Sequence, residues 1–323
     1  MFTLAHMSDP HLGPLPPARL HQLVSKRLFG YLNWYRRQGV HRPEALDAIV
    51  ADLNAHSPDH IAVTGDLVNI ALPAEFTQAL AWLRGLGAPE QVSVIPGNHD
   101  AYVPQWGRDG YRLWADYMRS DARGVTFLEG TGARFPYVRI FDDVALIGTS
   151  TARATAPFMA AGRLGRAQIG RLEKALEALG AAGLTRVLLI HHPPLPGMAS
   201  WRRGLHDAGA LREVLRAQGA ELVLHGHEHR FKLNWLEWSG GMIPIVGAPS
   251  ASAAASATRP SGHSKPPAAY HLYRIGRDNR GCVINMTRRG LIEGGARVDT
   301  LGEMRLSPPP EHANTSEILR KNG

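Results

Sequence analysis

The sequence is poor in cysteine, in long apolar runs and in acidic residues. Cys282 is the single cysteine among 323 residues, which excludes an internal disulfide framework and favours a reducing compartment. No run of about 18 apolar residues occurs, so we expect no transmembrane helix. Residues Met1–Asp9 lack a basic stretch followed by an apolar one, so we expect no secretory signal and a cytoplasmic location.

The shortage of acidic residues leaves a strongly basic chain. Aspartate and glutamate number 28 against 36 lysines and arginines, which gives a net charge of +8 and a pI near 9.9. Such an excess indicates an anionic partner: a phosphate substrate, nucleic acid or anionic lipid. Charge alone does not choose among these three. The 16 histidines are more informative, because histidine is the commonest metal ligand and their clustering can be read directly.

Short β-rich runs alternate with amphipathic helical patterns, which predicts a layered α/β domain. Antiparallel strands are expected after residue 230, and a poorly ordered, Gly- and Pro-rich tail is expected over 290–323. The domain itself is therefore predicted to cover residues 1–289. The predicted strands before residue 230 are Phe2–Met7, His60–Thr64, Val92–Ile95, Val144–Ile147, Val187–Ile190 and Leu222–Leu224.

Polar clusters follow five of these strands. They are Asp9-Pro10-His11, Gly65-Asp66, Gly97-Asn98-His99-Asp100, His191-His192 and Gly226-His227-Glu228-His229. Ligands of open α/β sheets bind at the carboxyl ends of strands, so these side chains are expected to meet. Each motif alone is weak, since Asp-x-His occurs by chance and Gly-Asp usually marks a turn. Five in succession, each after an apolar strand, indicate one metal-binding site.

In this order the motifs resemble those of calcineurin-like metallophosphoesterases, particularly bacterial cyclic-nucleotide phosphodiesterases and glycerophosphodiesterases. The resemblance covers residues 2–235 and includes the His-His-Pro-Pro turn at 191–194. It implies an α/β fold, a four-layer α-β-β-α sandwich, and two divalent metal ions, manganese, iron or zinc. It further implies a phosphodiesterase that hydrolyses a small or lipid-linked phosphodiester by in-line attack of metal-bound hydroxide.

Carried over position by position, the resemblance assigns seven metal ligands. One metal is expected on Asp9, His11 and His229, the other on Asn98, His191 and His227, with Asp66 bridging them. His99 is expected to protonate the leaving alkoxide or to stabilise phosphoryl charge, and Asp100 to orient its ring, with a simple turn role as the alternative. His192 is expected on the substrate side or as a structural residue. The other histidines, His41 among them, are expected in the core or on the surface.

A basic, amphipathic insert at 12–43 separates the first motif from the rest. It contains no aspartate or glutamate between Pro10 and Pro43, and an apolar helical face runs from Leu20 to Tyr35 with Arg27 inside it. Its cations are Arg19, Lys26, Arg27, Arg36, Arg37 and Arg42. Three interpretations remain open: a helix packed on the domain, a lid that aims Arg27 at a substrate phosphate, or a contact with an anionic membrane.

The last two interpretations favour a lipid-linked substrate, as in the related UDP-2,3-diacylglucosamine hydrolases. A nuclease is disfavoured, since the insert carries tryptophan and tyrosine on an amphipathic face instead of a dedicated DNA-binding segment, so nucleic acid is not the expected partner. A non-catalytic binding module is expected to have lost ligands, whereas all seven positions are filled. The sequence does not indicate an oligomeric state.

Overall fold

The computed structural model describes residues 1–36, 39–104, 110–128, 134–254, 266–279, 281–292 and 297–307. These residues form two six-stranded sheets that face each other. The helices are α1 (Leu20–Leu23), α2 (Arg27–Tyr35), α3 (Pro43–Ala55), α4 (Pro73–Leu86), α5 (Arg166–Ala181) and α6 (Ala208–Gln218), with 3₁₀ turns at Gly110–Met118 and Gly124–Phe127.

The first sheet has the order β12-β11-β10-β1-β2-β3 and the second β4-β5-β6-β7-β9-β8. The strands are β1 (Phe2–Met7), β2 (His60–Val63), β3 (Val92–Val94), β4 (Tyr137–Phe141), β5 (Val144–Gly148), β6 (Thr185–Leu189), β7 (Leu222–His225), β8 (Lys232–Trp238), β9 (Gly241–Gly247), β10 (Ala269–Asp278), β11 (Gly281–Leu291) and β12 (Val298–Ser307). Neighbouring strands are parallel along β1-β2-β3 in the first sheet and along β5-β6-β7-β9 in the second.

The central strands are apolar throughout because both of their faces are buried. In β5, Val144 and Leu146 belong to the core between the sheets, whereas Ala145 and Ile147 pack against α5 and α6. Successive side chains of a strand point to opposite faces, so one apolar run serves two layers. Apolar residues of α3 and α4 join the core on the far side of the first sheet. The predicted four-layer α-β-β-α sandwich is confirmed.

The insert forms two short helices rather than the single helical face that its periodicity suggests. Helix α1 ends at Leu23, and the Ser25 hydroxyl accepts a hydrogen bond from the Arg27 backbone N–H at 3.1 Å, which starts α2 on a new axis. Serine favours helix starts over helix interiors because its hydroxyl can satisfy a free backbone donor. None of the described helices is long and apolar enough to cross a bilayer.

The expectation of a poorly ordered tail from residue 290 is wrong for Val298–Ser307, which forms β12. This strand pairs antiparallel with β11, with Met304 opposite Met286, and Leu306 is fully buried. Its other face carries Glu303 and Arg305, both exposed. Charged residues on one face are usual in an edge strand, and here they concealed the alternation that marks it. Residues 308–323 lie outside the described part of the chain.

Strand β12 is expected to contribute measurably to stability. A chain that ends at Ile292 should melt more than about 5 °C below one that ends at Ser307, because it loses the burial of Leu306 and the pairing of β11. Both chains lack residues 308–323, so differential scanning calorimetry isolates β12. Equal melting temperatures would show that the domain does end near residue 290.

Candidate metal centre and active site

The loops after β1, β2, β3, β6 and β7 converge at one edge of the sandwich. They bring together all seven residues that the sequence assigns to metal binding, and each of these is at most 7% exposed. The seven are Asp9, His11, Asp66, Asn98, His191, His227 and His229. Residues far apart in the chain thus form a single buried polar cluster.

One group of donors consists of Asp9, His11, Asp66 and His229. One ligand atom from each lies within 4.8 Å of the others. The two Nε2 atoms of His11 and His229 face each other at 3.4 Å, and His229 Nε2 lies 3.0 Å from Asp9 Oδ1. Convergence of two imidazole nitrogens and two carboxylates on one point is the arrangement that a divalent transition metal requires.

The two oxygens of Asp9 are used differently. Oδ2 accepts hydrogen bonds from the Ser8 hydroxyl at 2.6 Å and from the His227 backbone N–H at 3.0 Å. Oδ1 is buried and makes no hydrogen bond, although it points toward His229. A buried carboxylate oxygen without a partner is costly unless a cation contacts it. The donor set therefore fits a bound metal ion.

A second group surrounds the Asn98 side-chain oxygen. His227 Nδ1 lies 2.8 Å and His191 Nε2 3.2 Å from Asn98 Oδ1, and His191 Nε2 is also 3.4 Å from Asp66 Oδ2. The His191 Nδ1–H donates to the Thr64 carbonyl at 2.7 Å, which turns Nε2 toward the cluster. Such a carbonyl contact is the usual means of orienting a metal-binding histidine.

Asp66 is common to both groups. It belongs to the cluster with Asp9, His11 and His229, and its Oδ2 faces His191 of the second. Its other oxygen, Oδ1, accepts the His99 backbone N–H at 2.7 Å. One carboxylate placed between two sets of nitrogen donors is the arrangement expected of a bridging ligand.

Backbone strain is concentrated at these residues. Five of the seven adopt positive φ, which non-glycine residues seldom do, and each such position costs on the order of 1 kcal/mol. They are Asp9 at 51°, His11 at 41°, Asp66 at 56°, His227 at 69° and His229 at 53°. Strain of this kind persists where the surrounding structure enforces it, and it is typical of functional sites.

Two motif glycines make room for the cluster. A Cβ atom on Gly97 would lie 2.2 Å from Asp66 Oδ1, and one on Gly226 would lie 1.9 Å from the Ser8 hydroxyl oxygen. Neither space admits a methyl group, since Cβ contacts under 3.0 Å force a shift. Glycine is therefore required before Asn98 and before His227, which explains why both motifs begin with it.

Burial sets the protonation of the cluster. It lowers the pKa of His11 and of His227 well below the ordinary value, so both rings are neutral near pH 7 and carry a lone pair for a metal. Burial also disfavours charge on His191, but the Asp66 and Asp9 carboxylates outweigh it and raise the pKa of His191 to about 9. The pKa of Asp66 is held well below its usual range, since the neighbouring imidazoles outweigh its burial.

His99 lies at the edge of the cluster, with its ring 4.8 Å from that of His11. Its Nδ1–H donates to the Asn69 carbonyl at 2.5 Å, and Tyr102 stacks on the ring at 5.6 Å. Nε2 has no hydrogen-bond partner among the described residues and remains available for a proton. The Asn69 backbone N–H is in turn held by buried Glu75 at 2.6 Å.

Asp100 does not orient His99, contrary to the sequence-based expectation. Its carboxylate accepts four backbone N–H groups at 2.8 to 3.1 Å, those of Asp66, Leu67, Val68 and Gly97. The carbonyl of Asn69 has the orienting contact instead. Burial and the nearby Asp66 carboxylate raise the pKa of Asp100, whereas the amide donors oppose this shift. Asp100 thus shapes the loop that carries Asp66.

The two residues assigned to the substrate side are both engaged elsewhere. His192 is fully buried: its Nε2–H donates to the Ala160 carbonyl at 2.9 Å and its Nδ1 accepts from the Thr151 hydroxyl at 2.7 Å. Burial lowers the pKa of His192 to about 3. The guanidinium of Arg27 donates to the carbonyls of Ile70 at 3.2 Å and Ala71 at 2.5 Å.

His41 was expected in the core or on the surface, but it adjoins the first group. Its ring is 4.4 Å from that of His11 and 5.6 Å from that of His229, and its Nδ1 contacts the Ser252 hydroxyl at 2.8 Å. It lies at the end of the insert, opposite Ala253 in a short bridge. No motif surrounds His41 in the sequence, so only the fold reveals its position.

The family profile of the calcineurin-like phosphoesterases matches residues 2–231, most of the chain. The chain belongs to this family. A probable cyclic nucleotide phosphodiesterase of Synechococcus sp. is 28% identical to this phosphoesterase over 251 residues, which are 77% of the present chain and 80% of that protein. Membership makes the chain a phosphoric ester hydrolase whose His/Asp cluster is suited to metal.

Solved structures show the same fold. A dimetal phosphatase of Danio rerio superposes with a TM-score of 0.58 at 14% identity, over 93% of this phosphoesterase and 98% of that chain. A purple acid phosphatase from yellow lupin seeds superposes with a TM-score of 0.54 at 11% identity, over 94% of this phosphoesterase and 53% of that chain. At these identities the likeness concerns the fold alone.

Replacement of Asp100 should destabilise the protein rather than remove a catalytic group. Asp100→Ala leaves four buried amides without an acceptor, and we expect a loss of at least about 3 kcal/mol in the free energy of unfolding. The control is Asp116→Ala, which removes an exposed ion pair with Arg119 and should cost less than about 1 kcal/mol. Urea denaturation of metal-free protein measures both, and similar small losses would contradict the structural role of Asp100.

Proposed function

We propose that this phosphoesterase is a dinuclear metal-dependent phosphodiesterase. The observation that carries the proposal is the position of Asp66 between two converging groups of donors. Asp9, His11 and His229 would hold one ion, Asn98, His191 and His227 would hold the other, and Asp66 would contact both. Imidazole, carboxylate and amide donors without a thiolate suit manganese, iron or zinc. Two such ions would activate water and neutralise charge on the phosphoryl oxygens.

His99 supplies the proton that the leaving alkoxide requires. The Asn69 carbonyl accepts the Nδ1–H of His99, so the other ring nitrogen, Nε2, carries its proton toward the mouth of the site. Tyr102 holds the ring from one face, and Glu75 holds the loop of Asn69. This contact chain keeps the imidazole in one orientation while it transfers the proton.

The cations around the cluster favour a diester over a monoester. Lys26 and Arg27 are engaged with oxygen atoms of the protein, and Arg203 pairs with Glu228 at 3.3 Å. A diester carries a single negative charge, which the two metal ions offset, whereas a monoester dianion calls for further cationic contacts. The similarity to a probable cyclic nucleotide phosphodiesterase agrees with this substrate class.

Asp66→Asn tests the bridge and the metal centre together. The change removes the charge that holds two dications side by side, so bound metal should fall by at least one ion per chain. Hydrolysis of bis(p-nitrophenyl) phosphate should fall by more than about 100-fold. Metal is measured by inductively coupled plasma mass spectrometry after reconstitution, with Asp143→Asn, a half-exposed carboxylate paired with Arg277, as control. Full metal content with normal turnover in Asp66→Asn would exclude the bridging role.

His99→Ala separates proton transfer from metal binding. The variant should keep its metal content and lose about 10²–10⁴-fold in kcat for a cyclic nucleotide, whose leaving group is an alkoxide. The loss should be much smaller for bis(p-nitrophenyl) phosphate, since p-nitrophenolate leaves without a proton. Equal losses on both substrates would assign His99 to stabilising the phosphoryl oxygens, and loss of metal would make it a ligand.

A further inference from the structure

Large apolar side chains are exposed mainly on three segments of the chain. Of the twelve such side chains that the described residues expose, eight lie on the insert and on the loops at 155–160 and 200–205. These eight, which we call the apolar rim, are Leu20, Val24, Leu28, Phe29, Leu32, Tyr35, Phe158 and Trp201. Leu20 and Val24 are 86% and 84% exposed. Single exposed apolar residues are common on a domain surface, whereas a group of them usually marks an interaction surface.

Helix α2 has its apolar side turned outward. Gly30 is its one fully buried residue, and a Cβ atom there would lie 2.7 Å from both Ile70 and Tyr102. The helix backbone therefore rests directly on the domain, and the side chains on the opposite face, Leu28 and Leu32, project away from it. A helix packed on a core buries its apolar face, so packing on the domain alone does not account for the exposed apolar side chains of α2.

The three segments of the rim are joined. The rings of Phe29 and Phe158 lie 5.3 Å apart, and Lys26 Nζ donates to the Thr155 hydroxyl at 2.8 Å and the Met159 carbonyl at 2.9 Å. The backbone N–H of Ala160 donates to the Arg202 carbonyl at 2.9 Å, which connects the loop of Phe158 to that of Trp201. The insert, the loop at 155–160 and the loop at 200–205 are thus in contact, and each of them carries exposed apolar side chains of the rim.

The rim also borders the mouth of the metal centre. Lys26 Nζ lies 4.4 Å from the centre of the Tyr102 ring, which stacks on His99. In the loop of Trp201, Arg203 pairs with Glu228, which stands between His227 and His229 in the sequence. A flat surface laid against the rim would therefore bring its phosphate groups to the site.

The charge of the residues around the apolar rim indicates which kind of surface the rim binds. The insert has no acidic residue between Pro10 and Pro43, and Arg19, Arg36 and Arg42 are exposed beside the apolar residues. Arg202 is exposed next to Trp201. Apolar side chains flanked by cations match the two layers of an anionic bilayer, acyl chains below and negative headgroups above.

We propose that the apolar rim docks on an anionic phospholipid bilayer and seats the metal centre against it. Resting on the phosphodiesterase function proposed above, this inference assigns the substrate to phosphodiesters of membrane lipids rather than to freely diffusing ones. Docking uses Leu28, Phe29 and Leu32 as inserted side chains, none of which contacts the metal cluster.

The test is sedimentation of the full chain with vesicles. Wild type should bind vesicles of equal parts phosphatidylcholine and phosphatidylglycerol, bind pure phosphatidylcholine at least tenfold more weakly, and bind less in 0.5 M salt. The triple variant Leu28→Ser, Phe29→Ser, Leu32→Ser should lose at least tenfold in partitioning. The matched control replaces Leu113, Val125 and Leu301 by serine, three comparably exposed apolar residues away from the rim, and should bind as wild type does.

Two substrates complete the test: soluble bis(p-nitrophenyl) phosphate and a diacylglycerol p-nitrophenyl phosphodiester embedded in the anionic vesicles. The rim variant should lose activity only on the embedded diester. The inference is overturned if wild type fails to bind anionic vesicles, if the control triple loses as much binding as the rim triple, or if both substrates suffer equally. Vesicle binding without hydrolysis of either diester would instead overturn the proposed function and leave docking intact.

Discussion

Asp66 imposes the main electrostatic constraint on this fold, since it carries a buried charge between two groups of imidazoles. Its environment is built to hold that charge: His191 faces one oxygen, the His99 amide binds the other, and Asp100 fixes the loop from behind. These contacts come from both sheets, since His191 follows β6 in the second sheet, whereas His99 and Asp100 follow β3 in the first. These hydrogen bonds form only if the two sheets keep a fixed position relative to each other. The close-packed apolar core between the sheets holds them in that position.

The sequence predicted the central strands, and the seven residues that it assigned to metal binding do come together in the structure, because apolar runs and the polar residues after them are local signals. It missed β4, where Arg139 interrupts the apolar pattern; in the structure this guanidinium is buried and donates to the carbonyls of Arg119 and Val92. Three of the four partners of Asp100, and the neighbours of His41, lie on loops distant in sequence. Such contacts produce no periodic pattern in the sequence, so they could not be predicted from it.

The insert combines an exposed apolar surface with a residue that adjoins the metal-binding cluster. Residues 20–35 present apolar side chains to the outside, and the last residues of the insert bring His41 beside His11 and His229. Gly30 and Arg27 attach α2 to the loop at 70–71. Because the helix is attached through the face of Gly30 and through carbonyl oxygens, Leu28 and Leu32 on its opposite face remain available for another surface.

The order of the chain has a consequence for how the centre is assembled. Asp9 and His11 are made more than 200 residues before His227 and His229, and β1 cannot pair with β10 until Ile275, the partner of Phe2, has been made. A nascent chain cannot present the full donor set until His229 has left the ribosome. Contacts this distant also slow folding, so metal capture is expected to be a late event in maturation.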